Sequence, residues 1–314
     1  MKVVISFMIC LLVMHRASSE NLKFKDLVTL TNKYLTVSVS PQAGRIVRFS
    51  LNGDRNILRI NSEKDFDDEY KESGYRNYGG DKVLNSQHHD WFFNMRRPCW
   101  PPDEYVDGKP WKLIEKSDEK IIIKSEVSKY LGTRITRVIE LPENAKALSI
   151  TNIMEQVKPT IFPVMIWTIS LVNRPEFSLL DTRKKYFDGV AWNDLRIDSC
   201  KGAVSNINES TIKFAPVNLE PKPKIGTMGY WLAAVYKDLI FIQQSPMDLK
   251  KCYGDGASLE IFAADNIYEL ETLSPQVHLQ PGESIRHKVV WTLIKRSPEL
   301  DENLISNIIE RAGK

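Results

Sequence analysis

Two carboxylates placed two residues apart are the sharpest chemical feature of this 314-residue sequence. In Tyr268-Glu269-Leu270-Glu271-Thr272 the composition is that of a strand, so Glu269 and Glu271 project from one face, about 7 Å apart. Facing a cleft, their repulsion and burial would lift one pKa into the range useful for acid–base work; facing water, they are a charged strand surface. A second concentration of chemistry lies between residues 74 and 111, where Asn77, Gly79-Gly80, Asp81, Lys82, His88-His89-Asp90-Trp91, Trp100 and Asp103 follow one another. Three of the seven Trp fall in it, among charged and amide side chains. Sugars present apolar C–H faces rimmed by hydroxyls, so a site for them needs flat aromatic platforms beside planar donors and acceptors. The bland alternative is a long loop pinned by buried Trp and Pro.

Other chemistries find no footing. His88 and His89 are adjacent and would point to opposite faces of a strand, and neither HExxH nor paired CxxC occurs, which argues against zinc. Phosphate-loop and dinucleotide spacings are absent, as is a GxSxG elbow. No cofactor is called for, although a Ca²⁺ held by loop carboxylates stays open.

The elements that must carry these residues read as strands. Leu35, Val37 and Val39 alternate with Thr36, Ser38 and Ser40, and β-rich runs follow at 121–127, 135–141, 148–157, 161–172, 211–217, 231–243, 258–273 and 287–294. Without helical segments between them, they predict an all-β antiparallel sandwich or barrel. One helix is expected near the end, capped by Ser297, with Pro298 in its first turn, Gly313 after it, and Leu300, Leu304, Ile305, Ile308 and Ile309 on one face.

At 42% hydrophobic and 26% charged, the composition is that of a globular protein and excludes disorder. Lys2, the apolar run from Val3 to Met14 and Ala17-Ser18-Ser19 have the layout of a secretory signal, too short to anchor in a bilayer. Residues 1–19 are therefore expected to be cleaved, and the remainder to be exported without a membrane anchor. The net charge of +3, or +1 without the signal, is too small to argue for a nucleic-acid partner. Cys99, Cys200 and Cys252 remain, allowing either a Cys200–Cys252 bond or three reduced thiols.

Four ordered stretches resemble the galactose-mutarotase-like (aldose 1-epimerase-like) superfamily: LTVSVSPQAGRI at 35–46, NYGGDK at 77–82, WPPD at 100–103, and YELETLSP at 268–275 with LQPGES after it. The resemblance covers about residues 30 to 295. It implies a single β-supersandwich domain over residues 20–314 that binds a mono- or oligosaccharide. It also implies an isomerase in which Glu271, or Glu269 in the other register, is the general base, and Arg45 a substrate clamp. The family's mid-chain catalytic His has no counterpart here, since Trp167 occupies that neighbourhood. His88, His89, Asp81 or Lys82 would then have to supply the acid. A binding-only protein would use Trp91, Trp100, Trp167, Arg45, Asn77 and Asp103 as platforms and clamps. A hydrolase or lyase would need Asp81 or Asp103 facing Glu271 across the sugar.

Overall fold

The computed structural model describes residues 24, 26–61, 75–96, 100–183, 185, 191–196, 198–217 and 219–312. The expected signal at residues 1–19 and Cys99 lie outside the described residues. The described strands are β1 (Val28–Thr31), β2 (Leu35–Ser40), β3 (Arg45–Leu51), β4 (Asp81–Leu84), β5 (Lys112–Lys116), β6 (Lys120–Lys124), β7 (Thr133–Glu140), β8 (Ala147–Gln156), β9 (Trp167–Leu171) and β10 (Phe177–Asp181). They continue as β11 (Asn193–Asp194), β12 (Val204–Asn208), β13 (Thr211–Phe214), β14 (Lys224–Thr227), β15 (Trp231–Val235), β16 (Leu239–Gln244), β17 (Leu259–Ala264), β18 (Ile267–Leu273) and β19 (Ser284–Lys295). Two α-helices accompany them among the described residues, α1 (Trp91–Met95) and α2 (Glu302–Ala312).

The strands form two antiparallel sheets. Nine are ordered β1-β2-β3-β4-β9-β18-β17-β14-β11, and ten are ordered β12-β13-β10-β15-β16-β19-β8-β7-β6-β5. Apolar residues from both sheets, among them Val37, Phe49, Ile135, Ile150, Phe241, Leu270 and Trp291, make one buried cluster between them. Strand alternation sets this up: along β7 and β8 every second residue is buried and the others half-buried. The nine-stranded sheet's β4 and β9 are buried on both faces, so something covers their outer side as well.

On the ten-stranded sheet the cover is α2. Ile305 and Ile309 pack on Phe177, Leu179, Trp231, Ala233, Val235, Ile240 and Ile242 in a second cluster. The helix begins later than its sequence signals suggest: Asp301, not Ser297, accepts from the Leu304 amide at 2.8 Å. Leu304 and Ile308 face water. Two long β runs prove to be hairpins, β15–β16 and β17–β18, the second turning at Asp265-Asn266 without Gly or Pro. Cys200 and Cys252 are both free, the former buried and the latter exposed, so the Cys200–Cys252 alternative is not realised.

One buried ion pair joins the sheets. Arg137, from β7, donates to the Asp81 carboxylate and to its carbonyl oxygen (3.1 Å), while its Nε donates to Asn152 Oδ1 at 3.0 Å. Ser170 completes Asp81 with a 2.8 Å bond.

Candidate functional site

β18 lies between β9 and β17 inside the nine-stranded sheet, paired along both edges. Its alternation separates two jobs. Tyr268 and Thr272 point between the sheets, to Ser178 (2.7 Å) and His287 (2.8 Å). Glu269 and Glu271 point the other way, into a cavity of about 580 Å³. The cavity is also lined by Trp167, Lys224, Phe262, Asn77, Tyr75, His88, Trp100, Arg59 and Arg196.

Its floor is a charge cluster built by register. Glu260 on β17 sits directly opposite Glu271. Lys224, at the start of β14, reaches both, at 2.6 Å from Glu260 and 3.3 Å from Glu271. Burial works against the Lys224 ammonium, but Glu260 and Glu271 outweigh it and raise its pKa. Burial lifts Glu260 well above the usual carboxylate range, with Glu271 adding to the effect. Glu271 is almost fully buried and accepts from the Trp167 indole at 2.7 Å. Glu269 is half-buried at the cavity wall, and burial together with the Glu271 charge pushes it up to about 7. One strand thus presents a carboxylate tied to a cation and an indole beside a carboxyl that exchanges its proton near neutrality.

A second cluster supports the opposite side. Asp107 accepts from Arg45, from Tyr75 (2.9 Å) and from Lys82 (3.2 Å). Burial opposes the Asp107 charge, yet Arg45 and Lys82 prevail and hold its pKa below the usual value. Arg45 also grips Asn77 Oδ1 at 3.1 Å and the Gly79 carbonyl at 2.7 Å, which fixes the segment that brings Tyr75 and Asn77 to the cavity. Above them Trp100 lies edge-on to Tyr75, with ring centres 5.4 Å apart, and is backed by the buried Trp91 at 5.5 Å.

The Gly79-Gly80 pair serves the backbone. Both residues have positive φ, and a Cβ on Gly80 would stand 2.4 Å from the Ile46 carbonyl oxygen. Gly80→Ala is therefore expected to cost about 2 kcal/mol or more in thermal or urea unfolding, from the left-handed conformation plus the clash.

Residues 26–180 match a family described only as a domain of unknown function, DUF4380. No curated protein matches the sequence. Among solved structures, a galactose mutarotase-like protein from Lactobacillus casei superposes with a TM-score of 0.58 at 8% identity, covering 85% of this chain and 100% of its own. The protein has the galactose mutarotase-like fold. A candidate aldose 1-epimerase from Escherichia coli K12 gives 0.57 at 14% identity over 86% and 99%. One from Klebsiella pneumoniae gives 0.56 at 13% over 94% and 90%.

Within this mutarotase-like sandwich the residues named from sequence separate into three groups. Glu269, Glu271, Asn77, His88, Trp100 and Trp167 meet at the cavity. Arg45 and Lys82 lie beneath it, occupied with Asp107. Asp81, Asp103 and Trp91 are elsewhere. On β4, Lys82 faces the cavity side, so Asp81 must face the core, where Arg137 and Ser170 hold it. Asp103 is a loop organiser: it accepts from Ser128, Asn85 (3.0 Å) and the Tyr105 amide (2.9 Å). Neither Asp can face Glu271 across a ligand, which removes the hydrolase or lyase arrangement. Trp91 is buried and donates to the Ser86 carbonyl. His89 is exposed between Asp90 (3.3 Å) and Asp255 (3.4 Å), outside the cavity lining. Lys224, Glu260, Arg196, Arg59 and Tyr75 carry no motif that marks them in the sequence. Only strand register brings Glu260 and Lys224 to Glu271, and a single sequence does not contain register.

Proposed function

We propose that the protein is exported and binds a mono- or oligosaccharide in this cavity, interconverting the anomers of a free reducing sugar. The observation that carries the reading is the pairing of Glu271, bonded to Lys224 and Trp167, with Glu269 poised near pH 7 on the same face of β18, in a cavity that Trp100 also lines. Contacts from an ammonium and an indole N–H suit the ionised form of Glu271, which then serves as base towards the anomeric hydroxyl. Glu269, still protonated below pH 7, takes the place of the missing histidine and donates to the ring oxygen, so the open-chain aldehyde can rotate and reclose. Trp100 and Trp167 offer aromatic surface to the sugar's C–H faces, and Asn77 an amide to its hydroxyls. The mutarotase-like fold supports a sugar-directed role. Export rests on the first nineteen residues of the sequence.

The test is proton NMR of freshly dissolved α-anomers of several aldoses. Purified protein is expected to speed anomer exchange above the buffer rate, with a loss of about 10²–10⁴-fold in Glu271→Gln. The rate should fall as pH rises through about 7, because Glu269 then loses the proton it donates. A binding-only protein is the second reading, favoured by the tryptophan that stands in place of the histidine. No acceleration, together with a saturable change in tryptophan fluorescence on adding sugar, would establish it.

A further inference from the structure

The cavity carries more positive charge than a neutral sugar can use. Arg59, Arg196, Lys222 and Lys224 line it, against Asp265, Glu269 and Glu271, and Glu269 is only partly ionised at neutral pH. Lys224 is committed to Glu260 and Glu271, and Arg59 donates to Asn61 at 3.2 Å. Arg196 and Lys222 make no ion pair among the described residues. Arg196 instead lays its guanidinium on the Phe262 ring, 4.7 Å from its centre, which leaves its donor edge available. Phe262 also lines the cavity, and it pairs in register with Glu269 on one side and Lys224 on the other. The stacked cation is therefore anchored next to the carboxylates. Its field also reaches the cavity interior. Burial lowers the His88 pKa first, and Lys224 and Arg196 lower it further.

We infer that the sugar taken by this cavity carries an anionic group, a carboxylate or a phosphate, which Arg196 and Lys222 receive at the mouth while the ring lies against the tryptophans. A planar guanidinium held on an aromatic ring is matched to two oxygens of such a group. The inference rests on the sugar-binding reading above and narrows it to a substrate class.

Calorimetric titration of the full-length protein with galacturonate, glucose 6-phosphate, galactose and glucose tests it. At least one anionic sugar is expected to bind about tenfold or more tighter than its neutral parent, with the margin shrinking as NaCl is raised. Arg196→Gln should reduce that margin by about tenfold, and Arg196→Lys should keep part of it. The two anionic arms distinguish carboxylate from phosphate, and preference for either supports the inference. In histidine NMR titrations, the bound anion should raise the His88 pKa, whereas a neutral sugar should not. Equal or tighter binding of the neutral sugars would overturn the anionic class while leaving the sugar site standing. Failure of all four to bind would overturn both.

Discussion

Replacing Arg137 with methionine is expected to lower the unfolding free energy by about 3–5 kcal/mol, because it strands Asp81 as an unpaired charge in the core. Arg137 is fully buried and is the residue through which β7 of one sheet holds β4 of the other. Its removal therefore costs the ion pair and also the bonds to the Asp81 carbonyl and to Asn152. Urea denaturation measures the loss directly. The double variant Asp81→Asn/Arg137→Met separates the two parts: most of the loss should return if the stranded carboxylate is its source. A single-variant loss below about 1 kcal/mol would mean that the pair contributes little to joining the sheets.

The second large effect is expected at Lys224. In Lys224→Met the carboxylates of Glu260 and Glu271 face each other across paired strands with no cation between them. A loss of about 3–5 kcal/mol is expected at pH 8. The sign of the pH dependence follows from linkage. Without Lys224 the buried Glu260 loses the cation that opposes its desolvation, so its folded-state pKa rises further above the unfolded value. Folding then takes up a proton, so the variant keeps its stability in acid and loses it as pH climbs through that raised value. Glu260 already lies well above the usual range with Lys224 present. The gap in melting temperature between wild type and variant should thus be small near pH 5 and widen towards pH 8. Adding Glu260→Gln should close much of the gap, because a single carboxylate then remains. A gap that does not change with pH would show that Lys224 acts through packing alone.

How far the sequence could be read depended on whether a feature was local. The i, i+2 spacing of Glu269 and Glu271 put them on one face without knowledge of any neighbour, and the two side chains do share the cavity. Trp100 and Asn77 could be picked out because the segment around them is unusual in composition. The same local reading failed at Asp81 and Lys82. They sit side by side in one motif, and strand alternation sends them to opposite faces, one to a buried arginine and the other below the cavity. Trp91 and Asp103 looked like platform and clamp, but their polar atoms are used up by the loop's own backbone and by Ser128 and Asn85. Lys224 follows a stretch rich in Pro and Lys and is the first residue of a strand. Its role comes from pairing between β14, β17 and β18, which joins residues dozens of positions apart.

The carboxylate wall and the mouth of the cavity belong to different kinds of structure. β18 is hydrogen-bonded on both edges and cannot be shifted without breaking two neighbours, whereas Trp100, His88, Arg196 and Lys222 come from connecting segments. The chain can therefore exchange those segments for others and accept a new ligand while the proton-handling pair stays where it is. Diversification in proteins built this way should be sought in loop grafts, with the central strand left as a shared chassis.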